Sequence, residues 1–172
     1  MILSSLPSKI IVFVTCQNIN KIYPDLALLL EFSKHIILSE NKWIWSVKNK
    51  YYSCKVDVHI LTGQLDSSKC SEISNIGAAI WCTTQAKKED VELLTKWKKE
   101  FNLDHVDVQL IVVDNFESDE TRSLINQWAI KEGVEIIDFS EDDEEENSEN
   151  REDQVHIFAS DSQKRIVEAL QV

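Results

Sequence analysis

Residues 9–16 form a nearly unbroken apolar and β-branched run, the pattern of a strand buried on both faces of a parallel sheet. Pro24 and Asp25 then open a stretch carrying Leu26, Leu29, Leu30 and Phe32 at helical spacing, which predicts a helix packed on that sheet. Over 51–61 the pattern changes to alternation, with Tyr52, Cys54, Val56, Val58 and Ile60 against Ser53, Lys55, Asp57 and His59. Together with a strand at 43–47 and a loop at 48–50, this predicts an antiparallel hairpin. From Asn75 onward strands and helices alternate: strand 76–82, helix 87–101, strand 106–114, helix 119–132, strand 134–139 and a last helix over 162–170. Gly133 is placed to end its helix, and Ile166, Val167 and Leu170 supply the core face of the final one.

A mostly parallel sheet with crossover helices and one early antiparallel hairpin is the arrangement of a Ras-like, P-loop-NTPase-like α/β domain. Six strands are expected. The length of 172 residues, 43% of them hydrophobic, suits a single domain over 1–172.

Charge narrows the choice of partners. The formal net charge is −12, and residues 141–153 hold nine acidic residues and one basic residue, a net −8 that leaves −4 for the rest. That tract repels itself and has little to bury, so it is expected to be a mobile loop between the last strand and the last helix. An acidic chain of this kind is repelled by nucleic acid and by anionic leaflets. No run approaches the roughly 20 apolar residues of a membrane span. The apolar run at 10–14 is too short for a signal segment, and Cys16, Cys54, Cys70 and Cys82 form no CxxC pair, which together point to the cytoplasm with reduced thiols.

The chemistry of such a fold is missing in three places. A phosphate cradle needs glycines after the first strand, because only they let backbone N–H groups crowd the phosphates. The sequence there reads Thr15-Cys16-Gln17-Asn18-Ile19-Asn20-Lys21-Ile22, without glycine. Lys21 lacks the preceding Gly and following Ser/Thr of a phosphate lysine, and an exposed loop lysine is the simpler reading. Ile60-Leu61-Thr62-Gly63 puts an apolar residue where a magnesium-shell Asp belongs, and Val113-Asp114-Asn115-Phe116-Glu117 stands where a guanine-reading NKxD motif belongs. The expectation is no catalysis, no cofactor and no metal.

Other candidates are thin. His35, His59, His105 and His156 are scattered. Cys16 and Cys82 fall at strand ends, where α/β enzymes place nucleophiles, but no base lies near them in sequence. Asp104 and Asp107 resemble a metal pair, and solvated carboxylates are the simpler reading. A thiol- or metal-dependent enzyme is therefore the weakest alternative, behind a nucleotide-binding small G protein with an unconventional pocket.

The segment 45–58, with Asn49-Lys50-Tyr51-Tyr52 at its centre, resembles the alpha- and gamma-adaptin-binding protein family. Gln127-Trp128-Ala129-Ile130-Lys131-Glu132-Gly133, then Glu135-Ile136-Ile137, the acidic tract and Lys164-Arg165-Ile166-Val167-Glu168-Ala169-Leu170 follow in the family's order. The resemblance implies a pseudo-GTPase domain that binds clathrin adaptor subunits and assists their assembly for vesicle-mediated transport. Self-association and contact with a small GTPase are the further interactions to consider. The family usually continues past the terminal helix, whereas this sequence stops at Val172.

Two sites follow from the residues themselves. The 43–47 strand is expected at a sheet edge, with Trp43, Trp45 and Val47 on one face as a partner-binding surface. Ser140, followed by Glu141, Asp142 and Asp143, has the form of an acidophilic kinase site.

Overall fold

A computed structural model describes residues 9–15, 37–39, 42–48, 53–62, 73–140 and 161–170. The helix read at 24–32, the hairpin loop residues Asn49 and Lys50, Cys16, Lys21 and the acidic tract lie outside these residues.

Seven strands form one sheet in the order β2-β3-β4-β1-β5-β6-β7. They are β1 (Lys9–Val14), β2 (Ile37–Ser39), β3 (Lys42–Lys48), β4 (Ser53–Thr62), β5 (Ile76–Thr83), β6 (Val108–Val113) and β7 (Glu135–Asp138). β4, β1, β5, β6 and β7 run parallel, while β3 is antiparallel to β4 and β2 to β3. The architecture is thus α/β with a mixed, mostly parallel sheet. All six expected strands are present, and β2 is an addition.

β1 sits in the middle, which is why its sequence is continuously apolar. Ile10, Val12 and Val14 enter one core, and Ile11 and Phe13 the other. The first core is closed by α3 (Asp161–Leu170) through Ile166 and Leu170. The second is closed by α1 (Asp90–Glu100) through Leu94 and Trp97, and by α2 (Asp119–Glu132) through Ile125 and Ala129. Trp97 stacks on Phe13 with ring centroids 4.3 Å apart, and Phe101 meets the same ring edge-on at 5.2 Å.

α2 is bounded by local signals at both ends, of which the sequence reading named Gly133. Ser118 caps it by accepting a hydrogen bond from the Thr121 N–H at 3.1 Å. Gly133 ends it in the left-handed region, φ +68, with the Val134 N–H returning to the Ala129 carbonyl at 2.9 Å. A Cβ added at Gly133 would meet nothing within 4 Å. Gly133→Ala therefore carries only the backbone penalty of about 1 kcal/mol. Thermal melting should fall by about 2–4 °C.

The edge assignment of the 43–47 strand is corrected. β2 lies outside β3, with Ile37 opposite Trp43 and Ser39 opposite Lys42, so β3 is not the outermost strand. Trp45 is only 4% exposed and belongs to the α3-side core with its cross-strand partner Val56. An indole buried there is packing, not a free contact surface. Trp43 and Val47 are placed opposite Val58 and Cys54, and their side chains lie outside those described.

Candidate functional site

The chain runs from β1 to β4 on one side and then to β5 on the other, so the sheet changes direction around β1. In open α/β sheets the crevice beyond the strand C-termini at such a point is where ligands bind. The rim here is built by Thr15, Thr62, Thr83, Asp114 and Ser140, each at or just past the end of a parallel strand.

Ligand binding at this rim would need backbone donors free to face an anion, and many are committed within the protein. The Thr15 N–H, just past the end of β1, donates to the Cys82 carbonyl at 3.3 Å. The loops after β5 and β6 are stitched together by a parallel bridge between Ala86 and Phe116. In it the Ala86 N–H donates to Asn115 O at 2.8 Å and the Glu117 N–H to Ala86 O at 3.0 Å, while the Asp114 N–H donates to Thr83 O at 3.2 Å. Asn115 turns its own side-chain oxygen back to the Phe116 N–H at 2.8 Å. Thr83, buried, donates its hydroxyl to Gln85 O at 3.1 Å.

The residues that the sequence reading singled out fall in the core or on the exposed surface. Ile60 is 2% exposed, pairs with Val12 two residues inside the β4 end, and packs in the α3-side core. Asp114 is exposed at the end of β6. Cys82 is a buried core residue rather than a rim nucleophile. Asp104 and Asp107 lie exposed before β6, at the rim opposite the strand C-termini, and Asp104 is 3.6 Å from Lys98. Among the described residues no group of three or more His, Cys, Asp or Glu is arranged to hold a metal.

At the far end of the rim stands a polar cluster that the sequence did not disclose. Arg122, in the first turns of α2, places Nη1 2.7 Å from Asp138 Oδ2 at the end of β7. Its guanidinium lies 4.8 Å from the centroid of the Phe116 ring. Ser140 donates its hydroxyl to Asp138 Oδ1 at 2.6 Å and its backbone N–H to the same oxygen at 3.0 Å. Arg122 Nη2 in turn donates to Ser140 Oγ at 3.2 Å. Sixteen residues separate Arg122 from Asp138, and no local spacing links them. The β6–β7 pairing brings them together.

A small concavity of about 30 Å³ opens between the sheet and the α1–α2 layer, lined by Phe13, Trp81, Trp97, Lys98, Gln109 and Trp128 among others. Gln109 Nε2 donates to the Leu103 and Val106 carbonyls, both at 3.0 Å, and Lys98 pairs with Glu132 at 3.0 Å, while the buried Trp81 and Trp97 indole N–H groups find no acceptor among the described residues. No helix among the described residues is long and apolar enough to cross a membrane. No protein-family model matches this chain, and no curated protein matches it.

Proposed function

We propose that this chain is a Ras-like pseudo-GTPase domain that binds clathrin adaptor subunits and assists their assembly in the cytoplasm, without catalysing a reaction. The observation that carries the non-catalytic half is Ile60: the residue at the magnesium-shell position is an alkyl group sealed in the core. The glycine-free sequence after β1 and the internally bonded β5 and β6 loops support the same reading. The adaptin half rests on the ordered resemblance from the Asn49–Lys50–Tyr51–Tyr52 stretch to the Lys164–Leu170 segment. In support of it, 127–133 forms the end of α2 with its glycine stop, and Glu135, Ile136 and Ile137 fall in β7.

The test is co-expression of the tagged chain with each adaptor large and small subunit separately. Retention of at least one subunit through purification, with more of that subunit soluble than when it is expressed alone, is the expected result. Retention of none would remove the adaptor reading.

A further inference from the structure

We propose that Ser140 is a phosphorylation site whose phosphate is received by Arg122. The sequence supplies the substrate pattern, since Ser140 is followed by Glu141, Asp142, Asp143, Glu144, Glu145 and Glu146. The fold supplies the receiver, because Arg122 already donates to the atom that would carry the phosphoryl group. A solvated serine in an acidic stretch would have no such cation beside it.

In the reaction, Ser140 Oγ attacks the γ-phosphorus of Mg-ATP bound to an acidophilic Ser/Thr kinase. The new O–P bond replaces the bond to the β-γ bridging oxygen, ADP leaves, and the hydroxyl proton passes to the kinase base. The product cannot keep the present arrangement. Ser140 loses the hydrogen with which it donates to Asp138, and a group of charge about −1.5 to −2 is placed against that carboxylate. Among the described residues Arg122 is the cation placed beside both, and its planar fork suits a phosphate bidentately. Arg122 therefore shifts from Asp138 to the phosphate, which loosens the hold of the first turns of α2 on the end of β7.

The experiment treats the full chain with a purified acidophilic Ser/Thr kinase and Mg-ATP, maps the product by mass spectrometry, and follows the phosphate by ³¹P NMR against pH. Modification at Ser140 is expected, absent in Ser140→Ala. Its second ionisation should lie about one unit lower than in a phosphopeptide spanning 135–146, which lacks Arg122. In Arg122→Gln that difference should vanish. Should this variant fail to fold, the comparison with the peptide still decides. An unmodified Ser140, a phosphate titrating alike in protein and peptide, or a lowered value that persists in Arg122→Gln would each overturn the proposal.

Discussion

Chemical denaturation of Trp97→Ala is expected to show a loss of about 3–5 kcal/mol, the range for deleting a buried aromatic side chain. Against a typical total of about 5–15 kcal/mol, this leaves a marginal domain. The reason is position. Trp97 is 2% exposed and forms the stacked face of the Phe13 ring, so it joins α1 to the central strand. The indole N–H finds no acceptor among the described residues. Trp97→Phe removes that unsatisfied donor while keeping a ring against Phe13, and is expected to cost less than about 1.5 kcal/mol. Urea unfolding of the two variants distinguishes ring packing from indole chemistry. Equal losses would show that the stack is not what holds α1.

Ile60→Asp places a carboxylate where the proposed Ras-like reading expects a magnesium ligand, and is expected to unfold the domain rather than create a site. The new group would lie in the apolar core opposite Val12 and two residues along β4 from Val58, not on the rim. Burying it uncompensated should cost at least about 4 kcal/mol near neutral pH. Desolvation raises the folded-state pKa of such a carboxyl above the unfolded value of about 3.9. The unfolded chain then binds fewer protons, so stability falls as pH rises above about 4. Ile60→Asn, similarly polar but without a titrating group, should be destabilised without this added slope. Urea midpoints of both variants across acid to neutral pH provide the check.

The parts of the fold written in local chemistry were legible. α2 runs over the residues its Ser118 cap and Gly133 stop delimit, and β5 ends within one residue of its expected limit. α1 begins at Asp90 rather than Lys87 because 87–89 form a turn, with the Asp90 carboxylate accepting from the Lys87 N–H at 2.7 Å. Burial pushes the Asp90 carboxyl above its ordinary pKa, opposed by that hydrogen bond. β6 starts at Val108, later than the pattern suggested, because Leu103–His105 turn in a 3₁₀ segment after Asn102 takes a left-handed φ of +50.

What sequence could not reveal depended on pairing. Three residues, Ile37–Ser39, are too few to show a period, yet as β2 they displace β3 from the edge. The burial of Trp45 follows from the same cause: a strand with neighbours on both sides can seat a large ring beneath α3. Arg122, Asp138 and Ser140 carry no joint signature along the chain, and only the order of β6 and β7 assembles them.

Titration of the purified chain with a fluorescent guanine nucleotide, with and without magnesium, tests most directly whether this rim retains nucleotide chemistry. No saturable signal at micromolar nucleotide in either condition is the predicted result. Saturable micromolar binding that requires magnesium would contradict the account, because neither Ile60 in the core nor the glycine-free stretch after β1 could support it.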